Sequence, residues 1–150
     1  MWNQLKTQAE ATTFMESVCY FHDSCIKELS YISGAYVEDD LSMCPINKQR
    51  TLCVIFQRQY QDTPMIEMMF TGLSLLKLPV DDVNTCEMLD ATLLIQEGRV
   101  YWCDCGGMSA ADMMTHDGTV ICAEKAFWRP IEGHLGEAPF YLPADGGWGD

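Results

Sequence analysis

Residues 14–32 read FMESVCYFHDSCIKELSYI, and inside this stretch the spacing of the apolar side chains changes. Up to Val18 they recur at helical spacing, and from Ser24 onward they alternate. Ile26, Glu28, Ser30 and Ile32 fall on one side, against Cys25, Lys27, Leu29 and Tyr31 on the other, as in a strand with one face partly wet. The corner between the two periods is Cys19–Cys25, CYFHDSC. A helix that hands over to a strand here makes this an α+β chain with the helix first.

Working backward, Trp2, Leu5, Ala9 and Thr13, then Phe14 and Val18, continue the stripe, so the spacing predicts one amphipathic helix over 3–18. Working forward, EDDLSMCPINKQ is a polar connection, and TLCVIFQRQY at 51–60 is the clearest strand, with Leu52, Val54 and Phe56 on one face. MIEMMFTGLSLLKLP supplies one or two strands with a bend at Gly72, and DDVN at 81–84 is a loop. CEMLDATLLIQEGRVYWCDC reads as a hairpin, with strands near 88–96 and 99–104 around Glu97-Gly98. GGMSAADMMTHDGT connects, with room for one helical turn, to a last strand in TVICAEKAFWRPI. The glycine- and proline-rich remainder, 132–150, is expected to wrap the surface or fray. The architecture expected is a single domain, mostly β. Its N-terminal helix packs on a curved antiparallel sheet or a two-sheet sandwich of about seven strands, all within 24–130.

The 150 residues carry 9 basic and 22 acidic side chains, a net charge of −13. A field of that sign repels phosphate backbones and anionic lipid, so nucleic acid and membrane surfaces are poor partners and a basic protein is the favoured one. No apolar run reaches the length of a membrane span, and the N-terminus shows no secretory pattern. With that, Cys53, Cys86 and Cys122, each inside an apolar stretch, read as reduced and buried thiols of a cytoplasmic protein.

Three kinds of site compete for CYFHDSC. Cys19, His22 and Cys25, with Cys103 and Cys105, supply enough sulfur and imidazole for a tetrahedral metal site. The two flanking cysteines are expected on opposite sides of the corner, so buried thiols are the favoured reading and no metal or other cofactor is assigned. Cys25 or Ser24 beside His22 and Asp23 has the residue types of a catalytic triad, but working triads converge from separate elements and no G-x-S-x-G elbow is present. The third reading is structural. Phe21 pins the corner into the core, Asp23 or Ser24 accepts freed backbone amides, and His22 stays neutral on a backbone or carboxylate partner.

Phe21-His22-Asp23-Ser24, Leu52-Cys53-Val54-Ile55-Phe56, Phe70-Thr71-Gly72-Leu73 and Asp90-Ala91-Thr92-Leu93 together resemble a loose group of small uncharacterised acidic bacterial proteins, some of them similar to immunity proteins of polymorphic toxin systems. The resemblance spans roughly residues 20 to 105, implies a non-enzymatic acidic binder and brings no catalytic residue with it. The function expected is therefore an acidic intracellular protein-binding module. The rival is a small enzyme or ligand binder with a pocket near His22, Asp23, Trp102 and Asp104. No oligomeric state is assigned.

Overall fold

A computed structural model describes residues 1–80, 86–133 and 135–141. The loop expected at 81–84, and the parts of the expected tail at 134 and 142–150, lie outside the described residues. The elements in order are β1 (Asn3–Leu5), α1 (Gln8–Ser17), β2 (Ser24–Ile32), β3 (Tyr36–Val37), β4 (Met43–Cys44), β5 (Thr51–Arg58), β6 (Met65–Thr71), β7 (Leu75–Lys77), β8 (Glu87–Met88), β9 (Thr92–Gln96), β10 (Arg99–Cys103), α2 (Ala110–Thr115), β11 (Val120–Ala123) and β12 (Lys125–Pro130). A six-stranded antiparallel sheet runs β1-β12-β6-β5-β2-β8, a four-stranded one runs β7-β11-β10-β9, and β3 with β4 forms a separate ribbon. The fold is mostly β with antiparallel sheets, as expected, but with twelve strands among the described residues rather than about seven.

The two larger sheets share one core. Leu52, Val54 and Phe56 of β5 and Ile66, Met68 and Phe70 of β6 meet Leu93, Val100, Trp102 and Ile121 from the second sheet. Helix α1 adds Ala11, Phe14, Met15 and Val18 to the same cluster.

The helix is shorter than the stripe predicts. It starts after Thr7, whose hydroxyl accepts the Glu10 N–H at 3.2 Å while the Glu10 carboxylate accepts the Thr7 and Lys6 N–H groups at 3.1 and 2.6 Å. This capping box fixes the helix start. The backbone donors of Lys6 and then Thr7 hold the Glu10 carboxyl below the usual carboxylate range. Residues 3–5 instead pair with β12, Asn3 opposite Trp128 and Leu5 opposite Ala126, so a strand lies outside 24–130. Leu5 still reaches the core, at 5% exposure, from a strand rather than from a helix.

Two further differences follow from local geometry. In β2, Ile26 faces Phe56 but Glu28 faces Ile55, which leaves Lys27 as a bulge. A bulge shifts the alternation by one residue. Ile26 and Leu29 therefore both pack toward the core, and Glu28 turns to the outer face. The stretch 119–131 is two strands in different sheets, broken at Glu124. Its neighbour makes the same crossing between β6 and β7 at Gly72, where φ is +66° and an added Cβ would lie 2.5 Å from the Glu124 side chain. Glycine is what both the left-handed backbone and the close approach require there.

Candidate functional site

The corner after α1 is a left-handed turn. Cys19, Tyr20 and Phe21 have φ of 49°, 51° and 59°, and Asp23 follows at 53°. Each such residue, other than glycine, costs about 1–2 kcal/mol of backbone strain, least for aspartate. Phe21 offsets it. The ring is fully buried, with centroids 4.5 Å from Phe56, 6.0 Å from Phe14 and 6.1 Å from Trp102. Main-chain bonds complete the tie: Asp23 N–H to Met88 O at 3.0 Å and Gln59 N–H to Asp23 O at 3.0 Å. Nδ1 of His22 lies 2.6 Å from Leu89 O, and its Nε2 lies 3.5 Å from the Asp23 carboxylate. The Leu89 carbonyl first, and the Asp23 charge second, raise the His22 pKa. The backbone-accepting role expected of Asp23 or Ser24 is not what the described residues show. Ser24 Oγ donates to His22 O at 3.2 Å, and no backbone amide is shown donating to the Asp23 carboxylate among the described residues.

The other residues named from sequence separate in space. Trp102 is fully buried in the shared core, out of reach of a ligand, and its indole N–H has no partner among the described residues. Asp104 pairs instead with His116, Oδ1 to Nε2 at 2.7 Å, and Gly118 leaves room for both. A pocket of about 450 Å³ does open beside the corner, lined by Asp23, Ser24, Cys25, Gln57, Glu87 and others, but His22, Trp102 and Asp104 are not in its wall. The metal candidates fare similarly. Cys19 is exposed, Cys25 half-buried, and Cys103 buried with its thiol 3.2 Å from Cys105 O. Among the described residues no three His, Cys, Asp or Glu side chains converge, so Cys19, His22, Cys25, Cys103 and Cys105 form no ligand set. Desolvation pushes the Cys25, Cys103 and Cys122 thiols up. All eight cysteines are free. Of the three expected to be buried, Cys122 is; Cys53 is half-buried at the outer face and Cys86 is exposed just before β8.

Residues 31–46 present a different surface, of which 38–46 read from sequence as part of a polar connection and 31–37 as the end of an alternating strand. The chain leaves the six-stranded sheet at Ser33 and returns at Gln49 and Arg50, whose N–H groups both donate to Ser33 O, at 3.0 and 3.1 Å. Gly34 closes this base with φ +90°, where a Cβ would stand 2.6 Å from the Gln49 nitrogen. Between these points β3 and β4 form an arm, Tyr36 opposite Cys44 and Val37 opposite Met43. Glu38, Asp39 and Asp40 make its tip, all exposed. The tip is ordered by Glu38 N–H to Ser42 O and Leu41 N–H to Glu38 O, both 2.9 Å, and by Ser42 N–H to the Asp40 carboxylate, also 2.9 Å. The Ser42 side chain first, and its N–H second, hold the Asp40 carboxyl below the usual range.

Around this acidic tip stand large apolar side chains in water. Leu41 is 84% exposed, Met43 and Ile46 each 64%, and Tyr36 and Val37 about half. Tyr31 and Ile32 at the end of β2 extend the surface. Scattered exposed hydrophobics are ordinary, but here several stand together on one two-stranded element and its flanks. No lysine or arginine lies anywhere between Glu28 and Asn47. The signal was present in sequence as Tyr-Val and Met-Cys on either side of Glu-Asp-Asp, but two-residue strands carry no period to detect.

Comparisons with protein-family models, with curated proteins and with solved structures find no match for this chain. Among the described residues no helix is long and apolar enough to cross a membrane.

Proposed function

We propose that the protein is an acidic, non-catalytic protein-binding module that meets a basic partner through its β3–β4 arm. The single observation that carries this reading is the arm: three adjacent carboxylates at 38–40 flanked by Leu41, Met43, Ile46, Tyr36 and Val37 in water. Carboxylates steer a cationic partner and set its register, and the apolar side chains supply contact energy once water is excluded. The net charge of −13 extends the same field over the whole molecule. An immunity-like role in the cytoplasm, binding and blocking one basic protein, is the specific form of this proposal. The rival reading, a ligand or substrate site at the corner, has less behind it, because its four named residues do not share one cavity.

The test is selection of peptides from a random displayed library against the native protein. Binders rich in lysine or arginine together with apolar residues are expected. They should lose at least about tenfold in affinity when Glu38, Asp39 and Asp40 become Gln, Asn and Asn, a loss of 1.4 kcal/mol or more. Selected peptides that bind this variant as well as the wild type would remove the arm from the account.

A further inference from the structure

On the outer face of the six-stranded sheet, Ile55 and Met65 are buried, at 0% and 1% exposure, although neither belongs to the core that the two sheets share. The segment held over this face is 135–141. It joins no strand, and among the described residues no backbone–backbone bond ties it to the sheet. Side chains from three neighbouring strands hold it instead. Lys27 of β2 and Gln57 of β5 donate to the carbonyls of Glu137 and Gly136, at 2.6 and 2.9 Å, and the Glu28 carboxylate accepts the N–H groups of Phe140 and Tyr141. Glu67 of β6, buried and braced by Arg129, accepts the Tyr141 hydroxyl. The Phe140 ring stands edge-on to the Tyr141 ring, with centroids 5.2 Å apart.

Lys27, Gln57 and Glu28 clasp main-chain groups that any sequence offers, whereas Glu67 reads one side chain. Main-chain bonds that give affinity, beside a place for a particular side chain that gives specificity, are how peptide-recognition surfaces divide their work. The segment also leaves room unfilled. Beside Leu135 the cavity of about 450 Å³ lies open against Asp23, Cys25, Gln57 and Glu87, a volume within the range of ligand pockets.

We propose that this face is a recognition site for an extended peptide with an aromatic residue followed by tyrosine, that residues 136–141 occupy it in cis, and that a partner's segment takes their place. The specificity lies in Glu67, an ionised carboxylate that only accepts. A tyrosine donates to it, and a phenylalanine in the same position leaves a buried oxygen short of a partner. Because the resident segment is tethered, it competes at a high effective concentration, and the face opens to a partner only to the extent that the segment lets go. None of these residues belongs to the β3–β4 arm, so the two surfaces are tested apart.

The probe is the amidated peptide Leu-Gly-Glu-Ala-Pro-Phe-Tyr, the sequence of 135–141, with a fluorophore at its N-terminus. Its anisotropy is followed against the full chain as wild type, Tyr141→Ala and Tyr141→Phe. The alanine variant, whose own segment has lost its anchor, should bind the peptide at least about tenfold more tightly than wild type. Tyr141→Phe, which gives up only the hydroxyl, should fall between them, so the test does not depend on the alanine variant folding. The same peptide ending in Phe-Phe should bind each protein about tenfold more weakly, the scale of one hydrogen bond to a charged group. No binding to the folded variants, equal affinity for the two peptides, or a wild type that binds as tightly as the variants would overturn the inference. A dimer of the unliganded chain that the peptide dissociates would overturn it too, by giving the face to a second copy.

Discussion

Tyr141 donates its hydroxyl to Oε1 of Glu67 at 2.8 Å, and this bond anchors the C-terminal segment on the outer face of the six-stranded sheet. Glu67 is 3% exposed, and its other oxygen holds Arg129 at 2.6 Å. Strand register sets Glu28, Ile55, Glu67 and Arg129 side by side across β2, β5, β6 and β12. The Arg129 guanidinium stacks on Trp2 at 4.4 Å, and the Glu28 carboxylate accepts the N–H groups of Phe140 and Tyr141, at 2.5 and 3.0 Å. Lys27 and Gln57 bond the carbonyls of Glu137 and Gly136.

Tyr141→Phe should therefore destabilise the chain by about 1 kcal/mol, the usual scale of one hydrogen bond lost from a partly buried site. Arg129→Met should cost about 3 kcal/mol, the low end for breaking a buried pair, because 36% of the Arg129 side chain stays in water. Urea midpoints with unchanged m-values measure both.

The same bond predicts a pH dependence. Burial first, and then the hydrogen bond to Glu67 and its charge, push the Tyr141 hydroxyl far above the usual phenol range. A group whose folded pKa is raised contributes stability that is complete below its unfolded pKa, about 10 for tyrosine, and is lost as pH climbs beyond it. Wild type should lose more stability than Tyr141→Phe between neutral pH and the alkaline side of that value. Parallel losses in the two proteins would show that the hydroxyl is not held as described.

At the corner, Phe21→Ala should cost about 3–5 kcal/mol, as for other emptied aromatic sites in a core. Asp23 behaves differently from what its sequence position suggests. No backbone amide is shown on its carboxylate among the described residues and its φ is +53°, so what the fold asks of it is conformation. Asp23→Gly should be more stable than Asp23→Ala by about 1 kcal/mol, since glycine adopts the left-handed region freely and alanine does not. Chemical unfolding of the two variants decides it. Alanine above glycine would mean that the side chain, rather than the backbone, holds the corner.

Thiol titration of the native protein should sort the cysteines by cover. Cys86 should react at once and Cys103 and Cys122 slowly. Cys53 shares the outer face of β5 with Ile55, whose strand partner Glu67 holds the Tyr141 hydroxyl, and it should react faster in Tyr141→Ala than in wild type. A Cys53 rate that ignores this substitution would mean that the C-terminal segment does not cover it.

The mostly-β fold was legible wherever an element was long enough to show its period. Leu52, Val54 and Phe56 read as one strand face and are one, and Glu97-Gly98 reads as a turn and has φ of 50° and 72°, as a tight hairpin needs. The helix start was legible too, but in the Thr7-Gln8-Ala9-Glu10 capping box rather than in the apolar stripe. Trp2 and Leu5 match a helical stripe by spacing, while the backbone of Asn3–Leu5 pairs with β12. The Lys27 bulge and the Glu124 crossing depend on partner strands far away in sequence, so no local pattern marks them. Of the candidate site, Asp23 does line a pocket, whereas Trp102 and Asp104 were chosen for chemistry without knowing that one faces the core and the other His116.

On the function proposed above, the β3–β4 arm is a binding surface and not part of what holds the fold together. Replacing residues 36–44 with a short Asn-Gly turn tests it most directly, with the unfolding midpoint and the affinity for a selected lysine-rich apolar peptide both measured by calorimetry. The midpoint should stay within about 2 °C of wild type, because surface changes away from the core stay within about 0.5 kcal/mol. The affinity should fall about a hundredfold or more, as when an interface loses its dominant residues. Affinity retained within about threefold, less than 1 kcal/mol, would contradict it.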